Sequence, residues 1–327
     1  MTTCLVTGAD GFIGSHLVES LVAEDCNVKA LAQYNSFNDH GWIETFPKSV
    51  RERIEVASGD IRDPFFCNSL CKEVDVVFHL AALIAIPYSY HAARSYLETN
   101  VLGTQNICEA SLRNHVKKII LTSTSEVYGT ARYVPIDEKH PLQPQSPYSA
   151  SKIGADAIAM SYYYSYDLPL NILRPFNTFG PRQSNRAVIP TIITQISNGK
   201  SEIELGNIQA TRDFNYVQDT AQAFIEISKL DTYGHILNYG SNREISILDT
   251  VNLIAKLMEK EVTVLQKKER LRPEKSEVER LLCNPSMFYE MTSFKGIYGL
   301  EEGLRKTISW FQKEENLKRY KEYEYNI

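Results

Sequence analysis

Tyr148 and Lys152 stand four residues apart in Ser146-Pro147-Tyr148-Ser149-Ala150-Ser151-Lys152. On a helix that spacing puts a phenol and an ammonium one turn apart on the same face. Upstream, Ile119-Ile120-Leu121 reads as a buried strand that breaks into Thr122-Ser123-Thr124-Ser125-Glu126, leaving hydroxyls and a carboxylate at the strand end. A phenol with an ammonium and a hydroxyl beside it can hold or release a proton on demand. A free tyrosine titrates near ~10, and each unit of depression is worth roughly 1.4 kcal/mol. The charge of Lys152 favours the phenolate and moves it toward use as a base. Taken alone, Tyr-x-x-x-Lys is equally compatible with plain helix surface, so its meaning depends on the elements around it.

Those elements are legible in order. Ser146 is placed to cap the helix that carries the pair, and Pro147 suits its first position, where a missing N–H costs nothing. At the N-terminus a short apolar strand, Thr3 to Thr7, runs into Gly8-Ala9-Asp10-Gly11-Phe12-Ile13-Gly14 and then a helical pattern from Ser15 to Ala23. Glycine triplets between a strand and a helix cradle a pyrophosphate: Gly8 for the tight turn, Gly11 for close backbone approach, Gly14 for helix packing. A bound dinucleotide would add a cationic ring beside Tyr148, favouring the phenolate further.

The second strand is Val28 to Ala32, and a ribose-binding acid is expected near its end, roughly 20 residues after the glycines. The chain has Gln33-Tyr34-Asn35-Ser36 there, with neither an acid nor a basic cluster, so NAD is only weakly preferred and NADP stays open. A third strand, Ile54 to Ala57, ends in Ser58-Gly59-Asp60-Ile61-Arg62-Asp63. Asp60 can accept from an adenine amine or serve the turn before a helix begun by Asp63-Pro64. Val74 to Leu80 reads as the fourth strand, and Ala81-Ala82 offers a small surface for a cofactor backbone. Asn100 falls within a long helical stretch, about 92–114, as a structural hydrogen-bonder.

Alternating strands and helices to about residue 175 give the fold class: α/β, a Rossmann-type doubly wound parallel sheet with a smaller mixed C-terminal substrate-binding region. The expected division is 1–175 for the dinucleotide and 176–327 for substrate, with some elements free to return to the first part. The polar, Tyr-rich tail after about Asn316 reads as a frayed helix end. Charge is nearly balanced, 35 basic against 40 acidic residues, which argues against nucleic-acid or membrane surfaces. No apolar run reaches spanning length and Met1-Thr2-Thr3 leads straight into a strand, so the expectation is a cytoplasmic protein. The six cysteines are scattered among apolar neighbours and read as reduced core residues, with no metal site.

The ordered set Gly8/Gly11/Gly14, Asp60-Ile61, Thr124-Ser125-Glu126-Val127-Tyr128-Gly129, Tyr148/Lys152, Arg174-Pro175-Phe176-Asn177 and Arg212-Asp213 resembles the extended short-chain dehydrogenase/reductases that act on nucleotide sugars. The likeness covers nearly the whole chain, and the Thr124 to Gly129 run is most similar to the 4,6-dehydratases. Tyr34 to Asn38 and Thr122 to Thr130 resemble the enzymes on UDP-N-acetylglucosamine in legionaminic and pseudaminic acid biosynthesis. The resemblance implies a homodimer and a dinucleotide contacted by Gly8, Gly11, Phe12, Ile13, Asn35, Ser36, Asp60, Ile61, Leu80, Ala81, Ala82, Asn100, Tyr148 and Lys152. It further implies that Tyr148, Thr124 and Lys152 oxidise the sugar at C4, that Glu126 removes the C5 proton, and that hydride returns at C6 after the hydroxyl leaves. Asn177, Arg212 and Arg272 correspond to diphosphate and nucleotide contacts and Glu277 to a ribose contact; guanidinium–phosphate pairing gives the arginines a physical reason.

One position departs from the pattern. Many glucose-type dehydratases carry Asp where this chain has Ser125, and a serine cannot serve as the acid for the departing hydroxyl near neutral pH. Mannose-type dehydratases also show Thr-Ser-Glu and are thought to use the Glu alone. Besides a dehydratase, the sequence admits an enzyme acting on a sugar 5,6-ene, a 4-epimerase, or a non-catalytic dinucleotide-sensing module. The stretches 92–114 and 147–166 are equally open, as a dimer face or as ordinary sheet-facing helices.

Overall fold

A computed structural model describes residues 1–320. In chain order its strands are β1 (Thr3–Thr7), β2 (Asn27–Gln33), β3 (Ile54–Gly59), β4 (Val76–His79), β5 (Lys118–Thr122), β6 (Leu170–Pro175), β7 (Asn177–Phe179), β8 (Glu202–Leu205), β9 (Thr211–Arg212), β10 (Phe214–Tyr216), β11 (Ile236–Tyr239), β12 (Ile245–Ser246) and β13 (Thr263–Gln266). Seven of them form one parallel sheet in the order β3-β2-β1-β4-β5-β6-β11.

The inner strands are apolar runs buried on both faces, as the interior of a parallel sheet requires. Helices Phe12–Ala23 and Val217–Ser228 pack on one face around Leu17, Leu21, Phe224 and Ile227. Helices Gly103–Arg113 and Pro147–Tyr166 cover the other around Ile107, Cys108, Ala159 and Tyr162. The expected Rossmann-type doubly wound sheet is present. Its strand order reverses between β1 and β4, and a crevice opens beyond the carboxyl ends of strands at such a point. Pairing of Thr7 with His79 sets the glycine turn directly beside Leu80 and Ala81.

After Pro175 the strands become short pairs: β7 with β10, β8 with β13, and β9 with β12. A second core, with Ile192, Ile193, Val251, Leu304 and Phe311, joins helices Val188–Ser197, Ile247–Leu257 and Leu300–Phe311. The chain then crosses back: helix Val217–Ser228 leads to β11, which extends the main sheet beside β6. The reading of a frayed tail needs correction up to Tyr320. The Tyr320 hydroxyl donates to the Gln183 carbonyl at 2.9 Å, and its ring packs on Trp42 and Trp310. The rest of that tail lies outside the described residues.

Within the long helical stretch the structure inserts a π-helical turn, Leu97–Leu102, between Ala93–Tyr96 and Gly103–Arg113. All six cysteines are unpaired, five of them buried. No described helix is long and apolar enough to cross a membrane.

Candidate active site

The glycine turn is built as the sequence requires. Gly8 has φ +70°, and a Cβ there would meet the Ala81 amide at 2.9 Å; one on Gly14 would lie 2.1 Å from the Gly8 carbonyl oxygen. Gly11 caps helix Phe12–Ala23 without any side-chain bond, which leaves the first amides of the helix for a ligand. A cleft of about 1120 Å³ runs from this turn past Asp60, Ile61, Leu80, Ala81 and Ala82 to Thr124, Ser125, Glu126 and Tyr148. It ends among Asn177, Arg212, Arg272 and Glu277. The volume exceeds the ~300–1,000 Å³ of an ordinary small-molecule pocket, which suits two ligands laid end to end. Thr122 Oγ1, Asn177 Oδ1 and Gln183 Oε1, on residues lining this cleft, are buried with no hydrogen-bond partner among the described residues. A dinucleotide fits the cradle on these grounds: glycines where a side chain would intrude, open helix amides, and buried polar atoms awaiting partners.

The proton-handling residues converge where β5 ends. Ser146 caps helix Pro147–Tyr166 through a reciprocal box with Ser149, at 3.1 and 3.0 Å, as expected. Tyr148 and Lys152 then share the helix's buried face. Thr124 accepts the Glu126 amide at 3.2 Å, opening the short turn Ser125–Tyr128, and its hydroxyl also bonds the Tyr148 phenol. Lys152 turns away from the cleft, donating Nζ–H to the Thr122 carbonyl at 2.6 Å. Burial drives the phenol of Tyr148 above its ordinary value, with Glu126, Tyr96 and Asp156 adding to the rise and Thr124 opposing it. Burial lowers the pKa of Lys152, partly offset by Asp156. The depressed phenol expected from the sequence is therefore not a property of the protein alone. Burial and the neighbouring acidic groups together outweigh the hydrogen bond from Thr124.

On the far side, Arg272 Nη1 lies 3.5 Å from Glu126 Oε2, and Arg212 Nη2 lies 3.8 Å from Glu277 Oε1. Burial lowers the pKa of Arg212, and the neighbouring Arg272 adds to that, against Glu126 and Glu277. For Arg272, burial is outweighed by Glu126 and Glu277 together, and the pKa rises. This segment is stitched onto the β5 end: Thr130 Oγ1 donates to the Glu277 carbonyl at 3.1 Å, and Gln145 donates to the Lys275 carbonyl at 3.1 Å. Val127, Tyr128 and Phe176 share a core with Val278 and Leu281, so the arginine-bearing segment is clamped over Glu126.

Four of the expected residues are not on the cleft wall. Lys152 sits behind it. Asn100, in the π-helical turn, accepts the Leu83 amide at 2.8 Å and donates to the Leu83 carbonyl and Ser151 hydroxyl, both at 2.9 Å. It thus fastens the loop after β4 to the Tyr/Lys helix. Asn35 spends its amide on its own loop: Oδ1 accepts from Phe37 and Asp39, and Nδ2 donates to the Asp39 carbonyl at 2.7 Å. Ser36 lies on the same loop. Asp60 does line the cleft, but Arg62 holds its carboxylate in a fork at 2.9 and 3.0 Å and lowers its pKa. Sequence reasoning missed Asp10, Trp42, Arg182, Gln183, Arg186 and Arg319, all on the wall. For Arg182 the Gly180-Pro181 turn before it was the available signal.

The family model described as GDP-mannose 4,6 dehydratase matches residues 5–307. A human protein named dTDP-D-glucose 4,6-dehydratase is 32% identical, covering 98% of this chain and 92% of the relative. The structure of a UDP-N-acetylglucosamine 4-epimerase from Methanobrevibacter ruminantium M1, solved with UDP-N-acetylmuramic acid, superposes with a TM-score of 0.85 at 32% identity, covering 95% of this chain and 98% of that one. DesIV, a dTDP-glucose 4,6-dehydratase from Streptomyces venezuelae solved with NAD and TYD bound, superposes with a TM-score of 0.86 at 25% identity, over 98% of this chain and 99% of that one. The fold, the ordered motifs and these matches agree: the chain belongs to the GDP-mannose 4,6 dehydratase family, as an extended short-chain dehydrogenase/reductase-type enzyme of nucleotide sugars.

Proposed function

We propose that the protein is an NAD-dependent 4,6-dehydratase of UDP-N-acetylglucosamine. The observation that carries this reading is Glu126: one carboxylate, two residues beyond the hydroxyl that bonds Tyr148, and 3.5 Å from a guanidinium suited to a diphosphate. In this reading residues 1–175 hold the dinucleotide and most of 176–327 the nucleotide sugar. NAD, held by the glycine cradle, would supply positive charge and reversible hydride acceptance, taking hydride from C4 and giving it back at C6 while a solvent-derived proton adds at C5. Tyr148 takes the C4 hydroxyl proton while Thr124 holds that oxygen. The C4 carbonyl acidifies C5, and Glu126 removes the C5 proton and hands it to the departing C6 hydroxyl, which leaves as water. Lys152, anchored on the Thr122 carbonyl, keeps positive charge behind the phenol. Arg212, Arg272 and Asn177 hold the diphosphate and Glu277 the nucleotide ribose, as in the family pattern. Leu97 and Leu102 are about half exposed on the 92–114 stretch, which supports a homodimer through that face.

Ser125 favours a second reading, because it replaces the acid that would help the hydroxyl leave. An enzyme given a sugar 5,6-ene needs no such acid. The two separate in deuterated water with UDP-N-acetylglucosamine. The dehydratase yields a product lighter by one water, with deuterium at C5 by NMR. An enzyme that leaves this substrate unchanged yet converts the 5,6-ene is of the second kind.

A further inference from the structure

We propose that Asp10 supplies the carboxylate that binds the adenosine ribose diol of the dinucleotide and thereby selects NAD over its 2′-phosphorylated form. This deepens the cofactor assignment above and rests on it. The sequence offers no acid at the end of β2, where a diol-binding carboxylate ordinarily sits. The structure brings one there from the turn that follows a neighbouring strand. Asp10 lies in the glycine turn after β1, and its Oδ2 accepts the backbone N–H of Gln33, the last residue of β2, at 3.2 Å. Asp10 and Gln33 both line the cleft, beside Gly11 and Gly59.

The loop after β2 fixes this placement from behind. The Trp42 amide donates to the Asp10 carbonyl at 3.1 Å, and a Cβ on Gly41 would come within 2.6 Å of the same oxygen. Asn35, a polar side chain just after β2, is spent on its own loop. The groups bearing on the Asp10 carboxyl are its burial, the Gln33 and its own amides, His40 and Asp39. His40 is engaged by Ser58 at 3.1 Å and Glu44 at 3.3 Å. From Ala30 to Phe46 the chain has no Lys or Arg. A ribose hydroxyl can donate to this carboxylate, whereas a 2′-phosphate would bring about two negative charges against Asp10 and Asp39.

The test is calorimetric titration of the full-length protein, stripped of bound nucleotide, with NAD, NADP and NAD lacking the adenosine 2′-hydroxyl. Wild type is expected to bind NAD at least a hundredfold tighter than NADP, and to lose about tenfold or more when the 2′-hydroxyl is absent. Asp10→Asn keeps an acceptor for the Gln33 amide. It is expected to close the NAD/NADP gap by tenfold or more, and Asp10→Ala to become indifferent to the 2′-hydroxyl. Tight NAD binding with an unchanged NAD/NADP ratio in Asp10→Asn, or a wild type that prefers NADP, overturns the role of Asp10 alone. A wild type that binds neither dinucleotide overturns the cofactor assignment together with it.

Discussion

Glu126 is engaged before any substrate arrives, and its partner is the guanidinium that a diphosphate would also claim. A contact of 3.5 Å is an ion pair rather than a well-formed hydrogen bond, and Arg272 is a quarter exposed, so the pair is worth at most about 1 kcal/mol. Glu126→Gln should therefore act in two directions. Water loss should fall by about 10²–10⁴ as the C5 base disappears. UDP should bind up to about fivefold tighter, because Arg272 and Arg212 lose a competing carboxylate. Titration with UDP alone reads the second effect free of catalysis, and weaker binding would remove Glu126 from the neighbourhood of the diphosphate. The proximity of the Thr124, Glu126 and Tyr148 group was legible because its signal is short-range: Tyr148 and Lys152 are a helix turn apart, and Thr124 to Glu126 is one contiguous run. Asp10 and Arg319 were not. Asp10 matters only because β1 and β2 are neighbours, and Arg319 reaches the cleft only because the last described segment folds back onto Trp42, its guanidinium 5.5 Å from that ring.

Helix Pro147–Tyr166 repeats its fourth-residue spacing once more below Lys152, at Asp156. That carboxylate accepts from Ser123 at 2.8 Å and from Arg174 on β6 at 2.8 and 3.1 Å, and both charges are almost wholly buried. Arg174 continues to the Tyr128 hydroxyl at 2.9 Å, which donates to Asn238 on β11 at 2.8 Å. One polar chain thus locks the helix that carries Tyr148 to three neighbouring segments. Removing one partner of such a pair strands the other charge, so Asp156→Leu should cost about 3–5 kcal/mol of unfolding free energy. Asp156→Leu with Arg174→Met should cost less than the single change, since no ion is left unpaired. Urea unfolding of the three proteins decides it, and a double variant weaker than the single would mean packing, not charge, holds this helix. The first five strands were read to within two residues at each end, since most are buried strands that leave uninterrupted apolar runs, whereas β11, far along the chain, was not read. The π-helical turn was not, since nothing in Glu98-Thr99-Asn100-Val101 departs from an α-helical pattern. Only the inward bonds of Asn100 to Leu83 and Ser151 show what the extra residue achieves.

Two buried histidines brace the molecule, His79 within the main sheet and His16 across to the turn at Pro181, and both must stay neutral. His79, between the glycine turn and the π-helical turn, accepts at Nδ1 from the Thr7 hydroxyl at 2.8 Å, because Thr7 Oγ1 already accepts from the Leu80 and Ala81 amides. Its Nε2–H then donates to Thr104 at 3.1 Å, whose hydroxyl donates to the Asn100 carbonyl; the tautomer follows from this order of bonds. His16, on the first helix, donates to the Pro181 carbonyl at 3.0 Å, joining that helix to the turn that carries Arg182. Burial, reinforced by Lys152, pushes His79 down to about 3, and burial with Arg182 does the same to His16. An unfolded chain binds these protons below pH ~6.5 while the native chain refuses them. The stabilisation is thus complete above that pH and is lost as pH falls toward about 3. At pH 5 each histidine should have withdrawn roughly 2 kcal/mol, together a large part of a typical stability of about 5–15 kcal/mol. Urea unfolding at pH 7.5 and pH 5, at fixed cofactor concentration, should show that fall. His79→Gln should start lower at pH 7.5, having broken the hydroxyl chain, yet lose about 2 kcal/mol less between the two pH values than the parent does. An unaltered pH dependence in this variant would mean that the ring between Thr7 and Thr104 already carries its second proton in the native protein.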